Sequence, residues 1–268
     1  MMNNWIFLSK DGKDEYINMF AMGSKGRIIN TDDFNYDDSE DPIILRGILK
    51  HKIMKKCWLY GRDFYFMDTG YMGNLPGPLN PMGWKYWHRI VKNDLQHDEI
   101  ISRPDDRFRK LAVPIHRWKK GGRKILVAKP DEKPMKFYDL DLDQWMEETV
   151  NTIKQYTDRP VVIRERVKSR TDRVVSNTLK EALDDDVHCL VTFNSNSATE
   201  AVLYGYPAFT LSSTHAAKPV TSQDLSKIET PFYPDKDLVH RWASHLAYGQ
   251  FHINELKDGT AWRILNEQ

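Results

Sequence analysis

The sequence predicts an α/β fold, and three observations carry that prediction. Short apolar, β-branched runs recur in the second half: Ile125-Leu126-Val127-Ala128, Pro160-Val161-Val162-Ile163, residues 187–193 and Ala208-Phe209-Thr210-Leu211. Runs of this kind suit strands buried on both faces. Helical segments alternate with them, and the order β-α-β-α-β-α-β calls for a parallel sheet with right-handed crossovers. The composition is that of an ordinary folded protein: 268 residues, 40% hydrophobic and 29% charged, with a formal net charge of +1. A chain of this length supports one large domain or two modest ones. Near-neutral charge gives no global case for binding nucleic acid or membranes, while leaving room for local patches.

In chain order, Trp5-Ile6-Phe7-Leu8 reads as a first strand, residues 14–22 as a helix ended by Gly23, and Arg27-Ile28-Ile29 as a second strand. Residues 31–41 are acidic and form a surface loop. Ser39 is placed to cap a helix that begins near Pro42 and covers residues 43–54, with Lys50, Lys52, Lys55 and Lys56 facing solvent. Residues 63–68 form a buried strand that ends in the carboxylate of Asp68. Residues 69–87 are rich in glycine, proline and aromatics without a helical period, and a loop that long in a compact domain is usually functional. Residues 86–91 make a strand bearing His88 and Arg89. Asp68, His88 and Arg89 then meet beside the loop. Taken singly, each also has an ordinary reading as a cap or a packing residue.

The basic, glycine-containing run from His116 to Lys124 marks a domain boundary. Residues 1–115 form the first lobe, 116–235 the second, and 236–268 a helical tail of the kind that crosses back to the first. Asp139 or Asp141 caps a helix running to about Tyr156, and Thr171 caps another through Asp184. Asn194-Ser195-Asn196-Ser197 caps a short helix over residues 198–204, which Gly205 closes and Pro207 prevents from continuing. Asp235 or Asp237 caps a helix over residues 238–247.

Ligands of parallel sheets bind beyond the carboxyl ends of the strands. Lys129-Pro130, Arg164-Glu165-Arg166 and Asn194-Ser195-Asn196-Ser197 converge there, and His215 stands at the close of the fourth strand. A helix start directs N–H groups at anions, and Arg164 and Arg166 suit phosphate. Glu200, one turn in, is placed to accept from a hydroxyl such as a ribose. The run Ser197-Ala198-Thr199-Glu200 also fits a plain capping box, which would leave Glu200 an ordinary exposed residue.

Several classes are set aside. Cys57 and Cys189 lie in apolar surroundings and read as reduced core thiols of a cytosolic protein. The N-terminus lacks a basic region followed by a long apolar run, and nothing approaches the ~18 consecutive apolar residues of a membrane span. Nine histidines without H-x-x-x-H or Cys/His spacing argue against structural zinc. Asp139-Leu140-Asp141 and Asp141-Leu142-Asp143 imitate a D-x-D metal motif but precede a helix, where they read as caps. Phosphate-binding P-loops and dinucleotide fingerprints are absent from the sequence.

Asn194-Ser195, Glu200-Ala201 and Gly205-x-Pro207 resemble the donor segment of GT-B glycosyltransferases, including capsular-polysaccharide transferases. A longer set resembles a group of small phage-encoded glycosyltransferases: Asp68-Thr69-Gly70-Tyr71, Arg164, Asn194-Ser195, Asp224-Leu225-Ser226-Lys227-Ile228-Glu229 and His245-Leu246-Ala247-Tyr248-Gly249-Gln250-Phe251. The resemblance implies two Rossmann-like lobes with parallel sheets facing an interlobe cleft. It also implies a nucleotide-diphosphate sugar donor, UDP-sugar favoured, with no obligatory metal. Donor contacts fall on Arg164, Arg166, Asn194, Ser195, Ser197, Glu200 and His215. Asp68 is the expected catalytic base, with His88 in reserve. The favoured acceptor is a 5-hydroxymethylated pyrimidine in double-stranded phage DNA, in the host cytoplasm. It would be met by Tyr71, Arg89, Lys119, Lys120 and Arg123. The alternatives are a surface polysaccharide or lipid-linked glycan acceptor, or a non-catalytic nucleotide- or nucleic-acid-binding protein. The chain departs from the GT-B pattern in its short length and in lacking the long glycine-rich loop of the second lobe.

Overall fold

The structure, a computed structural model, describes residues 4–48, 51–72, 85–165 and 178–267. These fall into two compact units: residues up to 95 together with 247–267, and residues 96–246.

The first unit is built on β1 (Ile6–Leu8), β2 (Arg27–Ile29), β3 (Ile43–Arg46), β4 (Phe64–Thr69), β5 (Trp87–Lys92) and β10 (Gln250–His252). The sheet order is β10-β5-β4-β3-β1-β2. β1 pairs parallel with β2 and β3, and β3 with β4, while β5 is antiparallel to both β4 and β10. All three residues of β1 are buried, as a strand covered on both faces requires. Helix Glu15–Ser24 makes the β1-to-β2 crossover. It starts at Asp14, whose carboxylate accepts from the Ile17 N–H, and stops at Lys25 in the left-handed region (φ 58°). Its Tyr16, Ile17 and Phe20 pack on Phe7, Ile44, Met67 and Ile90, and Phe251, Leu256 and Leu265 complete the same core.

The helix expected over residues 43–54 is instead strand β3 followed by helix His51–Tyr60. Ile43, Ile44 and Leu45 are all buried. Parallel neighbours on both sides engage them, and burial on two faces overrides the helical spacing of Ile44 and Ile48. The interior also holds a buried amide, Gln250. Its Nε2 donates to the Met72 carbonyl (2.7 Å) and its Oε1 accepts from the Met72 N–H (2.8 Å), clamping the chain where it leaves β4.

The second unit carries β6 (Lys124–Ala128), β7 (Val161–Arg164), β8 (Val187–Thr192) and β9 (Ala208–Thr210) in the order β7-β6-β8-β9, all parallel. This is the sheet that the alternating pattern predicts. Helix Leu142–Tyr156, capped by Asp141 on the Gln144 N–H (2.9 Å), lays Met146 and Ile153 against Ile125, Val127, Cys189 and Val191. The Asp139 and Asp141 pair therefore ends in a cap. Thr178 and Glu181 form a capping box on helix Leu179–Asp184, and the expected Thr171 cap lies outside the described residues. Both cysteines are buried thiols; burial pushes Cys57 up to about 11 and raises Cys189 further.

Gly205 closes helix Ser197–Leu203 with φ +82°. A Cβ there would lie 2.1 Å from the Arg117 carbonyl oxygen, because the 116–119 segment is hydrogen-bonded along this turn through His116 N–H to Leu203 O and Lys119 N–H to Gly205 O. Gly205→Ala therefore combines left-handed backbone strain with a backbone collision. It should lower the unfolding free energy by about 2–4 kcal/mol in urea titrations. A loss under ~0.5 kcal/mol would contradict the close approach.

Candidate functional site

Arg164 is the last residue of β7, opposite Ala128 at the carboxyl edge of the second sheet. Its guanidinium is half-buried. That burial pulls its pKa down, and the nearby Glu200 carboxylate opposes the shift. Glu200 stands in the first turn of helix Ser197–Leu203, where Asn196 occupies the cap position. The Ser197-to-Glu200 spacing is therefore not that of a capping box, which would need its acid three residues after the cap. Glu200 also helps burial raise the Tyr204 phenol to about 12. At the same edge Lys129 follows β6 and reaches Glu165 (3.1 Å). Arg166 lies outside the described residues.

The turn between β8 and the helix is tied down from behind. Ser195 Oγ accepts from the Ser197 N–H (3.3 Å), and the Ser195 N–H reaches Thr192 Oγ1 (3.4 Å). His215 is fully buried rather than directed at a ligand. Its Nδ1 accepts from the Ala217 N–H (2.9 Å), so its Nε2 carries the proton and donates to the Ser195 carbonyl (3.0 Å). Gln96, which no sequence motif marks, donates from Nε2 to the Asn194 carbonyl (2.9 Å) and accepts from the Ala216 N–H (2.9 Å).

At the carboxyl edge of the first sheet, Asp68 and Arg89 are cross-strand partners and share a face. Arg89 Nη2 lies 3.5 Å from the Asp68 carboxylate, its Nη1 donates to the Thr69 carbonyl (2.9 Å), and its Nε donates to that of Leu95 (3.3 Å). Its guanidinium also lies 5.3 Å from the Tyr71 ring centroid. Arg89 is thus committed to the fold, and Tyr71, 1% exposed, offers no surface to stack a flipped base. Both acceptor assignments are corrected. Asp68 keeps a 40% exposed side chain, and its Oδ1 accepts from the Thr69 N–H (2.7 Å). His88 pairs with Thr69 and therefore points to the opposite face, where it is buried 4.1 Å from the Tyr16 ring. It cannot stand in for Asp68.

The same edge holds a pair that sequence reasoning passes over. Arg46, at the end of β3, lies 3.4 Å from Asp14 and over the Tyr16 ring (4.5 Å), beside a depression of about 550 Å³ lined also by Lys10, Lys13 and Glu15. Placing β3 as a strand would have flagged Arg46 as a strand-end residue.

The basic run entering β6 is not a free cationic surface. Lys119 pairs with Asp184, Lys124 with Asp185 (2.7 Å) and Arg123 with Asp186, and Lys120 lies over the Tyr233 ring (4.9 Å). The two runs precede adjacent parallel strands, β6 and β8, so both arrive at the amino edge, away from Arg164. The Asp224–Glu229 motif also works at that edge. Glu229 grips Arg159 (2.9–3.1 Å), whose Nη1 donates to the Gly122 carbonyl (2.7 Å).

Parallel-rich sheets with polar groups gathered at their carboxyl edges define a Rossmann-like α/β protein. Among solved structures, the chain is similar to two glycosyltransferase chains from Thermosulfurimonas dismutans. KpsC, beta Kdo 2,4 transferase, aligns with TM-score 0.54 and 10% identity over 91% of this chain and 90% of that one. KpsC, beta Kdo 2,7 transferase, aligns with TM-score 0.51 and 11% identity over 99% of each. At such identity the likeness is one of fold. No protein-family model matches the sequence, and no curated protein is significantly similar to it. Among the described residues no group of His, Cys, Asp or Glu is arranged to hold a metal ion, and no helix is long and apolar enough to cross a membrane.

Two buried imidazoles make stability depend on pH. Burial, helped by Arg46, pulls His88 from 6.5 to about 4, and burial with Arg103 does the same to His245. Unfolded, both titrate near 6.5, so the unfolded chain binds more protons between those values. Stability is therefore full above about 6.5 and falls as pH drops toward 4. Urea midpoints at pH 7 and 4.5 should show the loss, and His88→Phe should reduce it; an unchanged pH slope in that variant would clear His88 of responsibility.

Proposed function

We propose that this protein is a glycosyltransferase moving a sugar from a nucleotide-activated donor onto a hydroxyl. The observation that carries the reading is Arg164, half-buried at the carboxyl edge of an all-parallel sheet and within electrostatic reach of Glu200, in a fold shared with two Kdo transferases. In this reading the two units are the lobes of a GT-B enzyme and the second takes the donor. Arg164 holds phosphate, Glu200 accepts from ribose hydroxyls, and the Asn194, Ser195 and Ser197 turn lies against the leaving group. As the acceptor oxygen attacks the anomeric carbon, the carbon–oxygen bond to phosphate breaks and the nucleotide leaves with the electron pair. Arg164 stabilises the charge that develops there. Asp68 takes the acceptor's proton, and Arg89 holds its carboxylate in place. A nucleoside-diphosphate sugar, uridine first, is the donor to test.

A saccharide acceptor is favoured over DNA. Of the basic run meant for DNA phosphates, Lys119, Lys124 and Arg123 are paired with Asp184, Asp185 and Asp186, and Tyr71 is buried. Binding to a hydroxymethylated duplex should accordingly be weak with a shallow salt slope. A steep slope would restore the DNA reading, since neutralised phosphates release counterions.

A panel of nucleotide sugars tests the activity through nucleotide release, which a non-catalytic binder would not produce. Calorimetry with uridine diphosphate should show Arg164→Ala and Glu200→Gln each weakening binding by ~1.5–3 kcal/mol with the fold intact; unchanged affinity in both rejects the donor site. Asp68→Asn should lower turnover by ~10²–10⁴ with donor affinity nearly unchanged. A loss under about tenfold would remove Asp68 from the role.

A further inference from the structure

Two successive carbonyls of the turn after β8 point inward onto side-chain donors. Gln96 Nε2 holds the Asn194 oxygen and His215 Nε2 holds that of Ser195. Both donors are buried, and each is itself fixed by a backbone N–H from the turn after β9: Ala216 onto Gln96 Oε1 and Ala217 onto His215 Nδ1. That second turn is anchored in its turn, because the fully buried Trp242 donates from Nε1 to the Ala216 carbonyl (2.6 Å). In a trans peptide the carbonyl and the following N–H point in opposite directions. Holding these two carbonyls inward leaves the Ser195 N–H on Thr192 Oγ1 (3.4 Å) and fixes the backbone that carries the Ser195 and Ser197 hydroxyls. A turn whose backbone and hydroxyl positions are set before a ligand arrives loses little entropy on binding it.

We propose that Gln96 and His215 are positioning residues for the donor nucleotide, acting through the Asn194 and Ser195 carbonyls without touching the ligand. The proposal rests on the reading of this edge as the donor site. His215 acts as a neutral imidazole of one tautomer, since a proton on Nδ1 would break its bond from Ala217. Gln96 acts through its amide nitrogen alone toward the turn.

Amide side chains separate the two ends of the His215 ring. Asparagine places its amide at the Nδ1 position and keeps the acceptor for Ala217 but loses the donor to Ser195. Glutamine reaches the Nε2 position and keeps that donor. Both substitutions disturb a buried site and should lower the urea midpoint alike. In calorimetry with uridine diphosphate, His215→Asn should weaken binding about tenfold or more, while His215→Gln stays within about threefold. Gln96→Glu, which retains the acceptor for Ala216 and removes only the donor to Asn194, should also weaken binding about tenfold. It tests the brace independently if a His215 variant fails to fold. Equal losses in the Asn and Gln variants, or wild-type affinity for His215→Asn or Gln96→Glu, would overturn the positioning role while leaving the donor site standing. Wild-type protein that binds neither uridine diphosphate nor any other nucleoside mono- or diphosphate would overturn the donor-site reading and this proposal together.

Discussion

Parallel pairing is the constraint on which most of this molecule depends. A parallel neighbour cannot be reached by a tight turn, so each pairing of β6, β7, β8 and β9 requires a crossover, and the crossovers cover the sheet. β6, β8 and β9 are then short, apolar and buried, while β7 at the sheet edge leaves Val162 and Ile163 exposed, and every loop at one end follows a strand while every loop at the other precedes one. Arg164 ends a strand, and Lys129 and the turn from 194 to 197 follow strands. Lys124 begins a strand, and Asp186 and Arg159 precede strands.

The charges at the two edges of the second sheet are handled differently. At the amino edge, cations and carboxylates meet in matched pairs: Lys119 with Asp184, Lys124 with Asp185, Arg123 with Asp186 and Arg159 with Glu229. Exposed pairs of this sort contribute little each, but they offset part of the field that would attract a polyanion. At the carboxyl edge, Arg164 is partly desolvated with the Glu200 charge near it, where a phosphate would gain more than at a fully hydrated site. A basic run in a sequence therefore carries no information about partners until its acidic complement is located.

The second unit is largely legible in the sequence because its signals are local and repeated: four apolar runs, Asp141 as a cap, and Gly205 before Pro207. Arg164 and Glu200 are legible for the same reason, standing at a strand end and in the first turn of a helix. The first unit is harder. Residues 43–45 satisfy a strand and a helix equally at short range, and only pairing with β1 and β4, remote in sequence, decides between them. Adjacent residues on a strand face opposite ways, so His88 and Arg89 cannot serve one site, a fact visible only once β4 and β5 are in register. Gln96 and Gln250 carry no signal at all. A buried glutamine is recognisable only from the backbone groups it satisfies, and those are 98 to 178 residues away in the chain.

The place of β10 sets the order in which this chain is finished during synthesis. The ribosome delivers the chain through residue 95, then the whole of the second unit, and only afterwards the strand that pairs with β5 and the amide that clamps Met72. The second unit is therefore fully translated while the first still lacks β10, Phe251 and the helices at 253–266 from its core. Until they emerge, β5 presents an unpaired edge of backbone donors and acceptors, open to pairing with another chain. The part of the molecule made first is the last to be sealed.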